Sequence, residues 1–494
     1  MRNHNPLIAI LLIIVLIGLA GCAAGNKISE GTPPPPVTGT FTNATLNGSY
    51  AFLIRGSNAG FYSIAGTILA NGSGMITAGT VDINSPGTST LANNVAVTGT
   101  YVVQADGRTT ATLNSTAGNF VIDFVLISNS HGLAIRFNTT ATGSGAIDLQ
   151  QSAAFSTAAI AGSFAFSMFG GDHNGNFETT AGAFTTTNVN NSDGIQSGVQ
   201  DINDNGALSV NRALTGAFAA PSTNGRGTAT LTTSVGNVNV AYYIVDFNHI
   251  IFIETDSAPV LAGNAFRQSG TALAGNLVLQ MFGSIATRTF AAGAILNTDN
   301  VSNILTTSTE DFNEAGTLTQ NLPISGAFSA VLNGRGTITM PGSSGLASLV
   351  FYPTTGGILL LSIDGTSVAT GTAFAQQLST PSNSSVNGTF GFFLAGANTA
   401  GAVDAIAALT ADGKGNFTGN LDENSAGTLG STIALTGTYT LASTGRGTAV
   451  LNGSAGTINI IFYAADSLDF IFIEADTGQV ATGIIQAPVP QNQD

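Results

Sequence analysis

The feature that most constrains the fold is an internal repeat, because one unit occurs four times in the 494 residues. Each copy opens on a glycine followed by alternating hydrophobic residues, and the openings at Gly48, Gly162, Gly275 and Gly388 are 114, 113 and 113 residues apart. A Gly-x-aromatic segment follows about 50 residues later in each copy. Units of this length exceed solenoid repeats and have the size of a domain. The sequence therefore predicts four tandem domains.

The repeat also sets the predicted division of the chain. The predicted segments are a signal peptide 1–21, a tether 22–45, β repeats 46–158, 159–271, 272–384 and 385–487, and a tail 488–494.

Within a copy, alternation of period two and Gly/Asn turns predict short antiparallel strands. In the first copy we expect eight, near 48–55, 61–70, 74–83, 95–104, 108–114, 118–128, 131–137 and 143–149. Eight such strands suit an up-and-down barrel or a two-sheet sandwich. Short loops favour the barrel, and the link 84–94 is where a Greek-key crossover could lie. The predicted fold is all-β, with four tandem antiparallel eight-stranded β-barrel or β-sandwich domains.

Composition excludes several classes of protein. Twelve Lys and Arg against 27 Asp and Glu, a net charge of −15, are the wrong sign for nucleic-acid binding. One Cys rules out a disulfide scaffold, and 43 % hydrophobic residues argue against disorder. Only 8 % of residues are charged, and the mean hydropathy is +0.31. Such a composition could also suit a membrane-embedded barrel, but many strands look shorter than the roughly 10 residues this needs, and four equal units do not suggest one pore.

The N-terminus predicts a lipid anchor. Arg2 precedes an apolar run from Leu7 to Leu19, which is short for a membrane span. The following Leu19-Ala20-Gly21-Cys22 resembles a bacterial lipobox, and this resemblance implies diacylation of the Cys22 thiol, cleavage before it and acylation of the new N-terminus. The same resemblance implies the outer membrane of the cell envelope, because Ala23 stands where an inner-membrane retention signal has Asp. Four prolines, 33–36, predict a semi-extended tether.

Two family resemblances bear on the architecture. The opening Gly-x-aromatic faintly resembles the first strand of calycin-type barrels, although those carry Trp and this chain has none. Residues 46–487 resemble uncharacterised repeat lipoproteins of the acidobacterial kind, through serial Gly-Thr-Tyr, Gly-Arg-Gly-Thr and Phe-Ile-Glu segments. These resemblances imply an architecture and no activity.

Four arginines recur at the same place, in a Gly-Arg turn that opens a strand. They are Arg108, Arg226, Arg335 and Arg446. A guanidinium there could bind an anion, or it could be structural and satisfy nearby acceptors. We expect the structural role, since a charge in so uncharged a protein usually has a partner. Hairpin counting places Arg226 near Asp246 and Arg446 near Asp466, and it offers Ser128 and Thr355 in the other copies.

An Asp-x-Asn motif recurs at the end of the third strand of each copy. The residues singled out from it are Asp82, Asp201, Asn203, Asn205, Asp311 and Asp422. Such side chains cap turns by bonding their own backbone. The second copy also matches the start of a calcium loop, but Arg212 stands where a bidentate Glu is needed. The motif therefore favours turn-capping over a weak cation site.

Paired acids end another strand in two copies. They are Glu254 with Asp256 and Glu474 with Asp476. A glycosidase or a cation site could use this spacing, but the other copies lack it, so a surface ladder is the favoured interpretation. Catalytic motifs such as G-x-S-x-G, the P-loop and H-E-x-x-H do not occur in the sequence. We therefore expect no catalytic residue, no metal and no cofactor.

These observations predict a non-enzymatic, lipid-anchored envelope protein that acts as a multivalent binding, adhesion or structural module. Its partners besides the membrane would be polysaccharide, a cell-surface protein or a small apolar ligand. One alternative is a carrier of small apolar ligands inside the barrels. A less favoured alternative is an enzyme acting on envelope carbohydrate.

Overall fold

The structure is a computed structural model that describes residues 40–189, 192–233, 235–270 and 273–488. The predicted signal peptide and Cys22 lie outside these residues, so the lipid anchor stays a prediction.

The described chain forms four closed antiparallel β-barrels in series. Barrel 1 contains β1 Asn47–Ser57, β2 Phe61–Asn71, β3 Met75–Ser85, β4 Thr90–Val103, β5 Arg108–Ser115, β6 Gly118–Leu126, β7 His131–Arg136 and β8 Thr142–Leu149. Barrel 2 contains β9 Gly162–Gly171, β10 Phe177–Val189, β11 Ser192–Asp204, β12 Ala207–Ala213, β13 Thr215–Phe218, β14 Arg226–Thr233, β15 Gly236–Ile244, β16 His249–Glu254 and β17 Val260–Arg267. Barrel 3 contains β18 Asn276–Ile285, β19 Arg288–Asn297, β20 Asn303–Glu314, β21 Thr317–Phe328, β22 Gly336–Thr339, β23 Ser348–Thr354, β24 Gly357–Ser362 and β25 Ser367–Ala375. Barrel 4 contains β26 Asn387–Asn398, β27 Gly401–Asp412, β28 Asn416–Ser425, β29 Thr428–Leu441, β30 Arg446–Gly453, β31 Gly456–Ala464, β32 Asp469–Glu474 and β33 Gln479–Gln486.

Each barrel is of the up-and-down type, because consecutive strands pair and the last strand returns to the first. In barrel 1, for example, Tyr50 of β1 lies opposite Leu149 of β8. The predicted barrel is thus confirmed against the sandwich. The link at 84–94 holds no Greek-key crossover, since most of it belongs to β3 and β4. In barrel 2 the fourth strand is broken into β12 and β13, which both pair with β11.

Helical structure is confined to short segments in the described residues. A single α-helix, α1 Thr157–Ile160, lies between barrels 1 and 2. The 3₁₀ turns are Asn43–Thr45, Pro86–Thr88, Ser152–Ala154 and Asn383–Ser385. No helix among these residues is long and apolar enough to cross a membrane.

Several strands are buried on both faces, which accounts for the positive mean hydropathy. All six residues of β7 are buried, as are all six of β16. One face of such a strand fills the barrel lumen, where Phe392 and Phe472 of barrel 4 stack with their ring centroids 5.0 Å apart. The other face lies against a neighbouring barrel. Apolar residues in these strands therefore serve two cores.

The four barrels close into a ring. The outer face of the first two strands of each barrel packs against the sixth to eighth strands of the next barrel. Ala51 and Leu53 of barrel 1 share an apolar cluster with Ile251 and Ile253 of barrel 2. Further pairs in shared clusters are Ala183 with Leu361 between barrels 2 and 3, Ile295 with Ile473 between barrels 3 and 4, and Ile406 with Ile135 between barrels 4 and 1. We call these four contacts junctions 1–2, 2–3, 3–4 and 4–1.

The linkers are fastened to the barrel that follows them. Gln150 donates a side-chain hydrogen bond of 2.7 Å to the carbonyl of Ile244. Gln268 and Gln376 donate in the same way to the carbonyls of Gly334 and Thr444, at 2.7 and 3.0 Å. These bonds and the apolar clusters argue for a fixed arrangement of the barrels.

Candidate functional site

The four recurring arginines all lie at the junctions, each paired with the recurring Asp of another barrel. The pairs and their shortest distances are Arg226–Asp82 2.7 Å, Arg335–Asp201 2.7 Å, Arg446–Asp311 2.7 Å and Arg108–Asp422 2.9 Å. Barrel 2 thus bonds barrel 1, barrel 3 bonds barrel 2, barrel 4 bonds barrel 3, and barrel 1 bonds barrel 4. The two sequence motifs are therefore complementary halves of one contact, made four times.

Junction 3–4 shows the geometry in detail. Arg446 grips Asp311 with two parallel hydrogen bonds, Nε to Oδ2 at 2.7 Å and a terminal nitrogen to Oδ1 at 2.8 Å. The Tyr463 hydroxyl donates to Oδ2 at 2.6 Å, and the backbone N–H of Asn321 donates to Oδ1 at 2.9 Å. The Asp311 residue itself is fully buried. Bidentate, charge-assisted bonds of this kind are the strong ones and impose a fixed geometry.

The contact with Asp311 shifts the pKa values of its two side-chain donors, Arg446 and Tyr463. Burial lowers the pKa of Arg446, but the hydrogen bond and the negative charge of Asp311 outweigh this effect and raise it overall. Burial, followed by the charge of Asp311, raises the pKa of Tyr463 well above its usual value. The guanidinium therefore stays charged and the phenol stays a hydrogen-bond donor throughout the ordinary pH range.

The Asn of each motif bonds the same neighbour as the Asp. It donates its side-chain amide to carbonyl oxygens around the seventh-to-eighth strand loop of the next barrel. The donors and acceptors are Asn84 to Glu254 and Asp256, Asn203 to Ser362 and Ser367, Asn313 to Glu474, Asp476 and Gln479, and Asn424 to Arg136, Asn138 and Ala141. One Asp-x-Asn segment therefore bonds two separate parts of the adjoining barrel. The Asp bonds the arginine that opens the fifth strand, and the Asn bonds the loop between the seventh and eighth strands.

The predicted partners of the arginines within their own barrels are wrong. Asp246 instead accepts the backbone N–H groups of Asn248 and His249, and Asp466 caps the equivalent turn in barrel 4. The reason is alternation along the strand, because Arg226 of barrel 2 points away from its own lumen and toward barrel 1. The structural role expected for the arginines is consistent with these pairs, since every guanidinium already holds a carboxylate.

The junction Asp side chains do not cap their own turns as the sequence favoured, whereas Asn203 of the same motif does, because it accepts the backbone N–H of Gly206 at 2.9 Å. Each Asp accepts the backbone N–H of a residue with positive φ in the neighbouring strand. These residues are Asn94, Asn211, Asn321 and Thr432. Asn205 also has positive φ and lies in the turn after β11. No group of three acidic, His or Cys side chains suited to a metal ion occurs in the described part of the chain.

Junction 4–1 differs from the other three in the residues around the salt bridge. Three junctions place a tyrosine beside a small residue, whereas junction 4–1 places Val125 in a cluster with Ile406. The other pairs are Tyr243 with Ala65, Tyr352 with Ala181 and Tyr463 against Gly293. Tyr243 and Tyr352 donate a hydrogen bond to the junction Asp, as Tyr463 does at junction 3–4. At junction 4–1, Arg108 contacts Asp106 of its own barrel as well, at 3.0 Å, and Ser431 donates to Asp422.

The acidic pairs do not form the surface ladder that the sequence favoured. Glu254 and Glu474 are each only 1 % exposed, because the last residue of the seventh strand turns into the lumen. Burial raises the pKa of both carboxyl groups to about 9. Asp256 and Asp476 instead accept hydrogen bonds from Asn239 and Asn459 at the barrel end.

Sequence reasoning missed three kinds of residue that the structure brings forward. The junction tyrosines and the linker glutamines recur in register, so an alignment of the four copies could have found them. Glu423 is the third kind, because it stands between Asp422 and Asn424 where the other copies have Ile or Phe. It faces the lumen of barrel 4 and lines a cavity there together with Glu474 and Asp476.

Comparisons with known proteins add little to this description. No protein-family model matches the chain, and no curated protein matches it. Among solved structures, one similar chain is a double mutant of transferrin binding protein B from Haemophilus parasuis Hp5, described as a vaccine antigen. It shares 8 % sequence identity over 72 % of this chain and 82 % of its own, with a TM-score of 0.17. A similarity this low carries no functional argument.

Proposed function

We propose that the protein is a lipid-anchored, non-enzymatic component of the cell envelope whose ring of barrels acts as a multivalent binding or structural module. The observation that carries this proposal is the set of four head-to-tail junctions. They hold equivalent surfaces of all four barrels in fixed relative positions. Fixed spacing is what allows several weak contacts to act together, since ordering costs are met once.

Each barrel has an outer face formed by its fourth and fifth strands, so the ring presents four equivalent copies of this face. Thr110, Thr228 and Thr448 are exposed at equivalent positions, and Thr337 is half-buried at the fourth. This face carries exposed hydroxyl groups, with the apolar Val102 opposite Thr110 in barrel 1. Hydroxyl groups suit a hydroxyl-rich polysaccharide or a polar cell-surface protein. Exposed large apolar side chains among the described residues include one aromatic, Phe247. Adhesion through strips of exposed aromatics is therefore not the mode that we propose.

Two experiments test this proposal. Labelled palmitate should enter the wild-type chain and not Cys22→Ala, and the wild type should fractionate with the outer membrane. Isolated envelope polysaccharide from the source cells is then the binding probe, with Thr110→Lys, Thr228→Lys and Thr448→Lys introduced singly and together. Multivalent binding predicts a loss that grows with each altered face. Loss of all binding from one face, or from none, would contradict it.

A small-ligand carrier is the second candidate, and the cavity in barrel 4 favours it. Native mass spectrometry of the protein from its own cells tests this candidate. A carrier with its site in barrel 4 predicts one extra mass per chain, released on denaturation, whereas ligands in every barrel would add up to four.

A further inference from the structure

Barrel 4 has a cavity of about 260 Å³ at one end of its lumen. Its walls are apolar and include Leu394, Leu421 and Leu435. The hairpin between β30 and β31 forms part of its rim through Gly453 and Gly456. The polar groups that line it are mostly acidic, namely Glu423, Glu474 and Asp476, with Gln479 beside them.

The equivalent region is filled differently in the other barrels. The residue between the Asp and Asn of each motif points into the lumen, and it is Ile83, Ile202 and Phe312 in barrels 1 to 3. In barrel 3, Phe312 packs against Phe290 with ring centroids 5.3 Å apart. In barrel 1, the guanidinium of Arg136 lies 4.9 Å over the ring of Phe120.

Barrel 4 has neither of these fillings. Ile458 takes the register position of Phe120, and Glu474 takes that of Arg136. Barrel 4 thus has smaller and acidic side chains where barrels 1 and 3 each have an aromatic contact.

One carboxyl group in the cavity has an unsatisfied atom. Glu474 is 1 % exposed, and its Oε1 accepts a hydrogen bond of 2.7 Å from Gln479. Its Oε2 has no hydrogen-bond partner among the described residues. The charged groups that act on it are Asp476 and Glu423, both negative. A buried polar atom without a partner is costly, so this end of the lumen suits a ligand that brings a hydrogen-bond donor.

The surroundings select the kind of donor. The acidic side chains do not form a group that could hold a metal ion, judged over the described residues. The apolar walls also suit carbon better than a hydrated ion. A cavity of about 150 Å³ holds a benzene molecule, so this one has room for about ten non-hydrogen atoms.

We propose that barrel 4 binds a small organic ammonium ion, with its cationic nitrogen against Glu474 and Glu423 and its apolar body between the leucines. Burial raises the pKa of Glu474 to about 9, so the carboxyl is protonated when the cavity is empty. Binding of the ammonium releases that proton to solvent, and Oε2 of the resulting carboxylate accepts an ammonium N–H. This site lies inside one barrel and does not depend on the proposed role of the ring.

Isothermal titration calorimetry on the full-length Cys22→Ala chain tests the proposal. The probe is phenethylamine, a primary amine of about nine non-hydrogen atoms, which fits a cavity with room for about ten. 2-Phenylethanol is its neutral counterpart. We expect one site per chain for the amine and at least about tenfold weaker binding of the alcohol, a difference of about 1.4 kcal/mol. Absence of saturable binding of the amine, or equal binding of the alcohol, would overturn the proposal.

Variants locate the site within the chain. Glu474→Gln and Glu423→Gln should each weaken the amine about tenfold or more. Glu423→Phe, which introduces the residue of barrel 3, should abolish binding by filling the cavity. Glu254→Gln in barrel 2 is the matched control, and it should leave binding unchanged. Binding that survives Glu423→Phe in a folded chain would place the site elsewhere and overturn the proposal.

Discussion

Removal of the Asp311 carboxylate tests how much one junction stabilises the ring. Asp311→Ala deletes both bonds from Arg446, the bond from Tyr463 and the bond from the Asn321 amide. Removing one partner of a buried ion pair costs about 3–5 kcal/mol, because the other charge is left unpaired. The Arg446 side chain is 15 % exposed and Gln320 still accepts from it at 3.1 Å, so part of the cost is recovered. We therefore expect a loss of about 3 kcal/mol in the free energy of unfolding.

Urea unfolding followed by tyrosine fluorescence and circular dichroism measures this loss, since the chain has no Trp. A double-mutant cycle with Arg446→Met should give a coupling energy of about 2 kcal/mol, within the range for residues in direct contact. Asp364→Ala is the control, because Asp364 bonds Thr366 within its own turn and should change stability little. A loss below about 1 kcal/mol, or a coupling near zero, would refute the view that the pair fastens barrel 4 to barrel 3.

Three further measurements test the Tyr463 hydroxyl, the packing at junction 4–1 and the pH dependence of stability. Tyr463→Phe should cost about 1–2 kcal/mol in urea unfolding, because it leaves one lone pair of Asp311 without its buried donor; an unchanged midpoint would count against that bond. Val125→Tyr should separate barrels 4 and 1 and raise the radius of gyration in X-ray scattering. Adding Ile406→Ala should restore the wild-type radius. If it does not, the side-chain volumes at positions 125 and 406 are not matched to each other. The buried carboxyl of Glu254 has a pKa of about 9 folded against 4.5 as its reference value, so the folded state holds more protons and stability should fall as pH rises from 5 to 9. Glu254→Gln should flatten that slope in a pH series of unfolding curves, and an unchanged slope would exclude Glu254 as its source.

The barrels themselves could be predicted because their information is local. The spacing of the glycine openings gave four units, and alternation placed each of the eight strands of barrel 1 within a few residues of its observed position. Turn glycines fixed the connections, and short connections favour strands that are neighbours in space.

The ring could not be predicted in the same way, because its contacts join distant parts of the chain. Arg108 and Asp422 are 314 residues apart, and alternation shows only that each points out of its own barrel. Counting across the hairpin selected Asp246 for Arg226 because that method sees nearby residues only. A usable signal was present in strands such as β7, whose outer face is as apolar as its inner face. Such strands need a second partner.

The head-to-tail junctions also bear on connectivity. Each barrel offers an Asp-x-Asn side to one neighbour and an Arg side to the other, and four steps return to the start, as in a cyclic homotetramer of single barrels. Barrels 4 and 1 are adjacent in the ring although they are farthest apart in the sequence. A circular permutant that joins 488 to 40 and opens the linker between barrels 2 and 3 would keep every junction. Junction 4–1, where Val125 and Ile406 share an apolar cluster, joins two barrels that no linker connects directly.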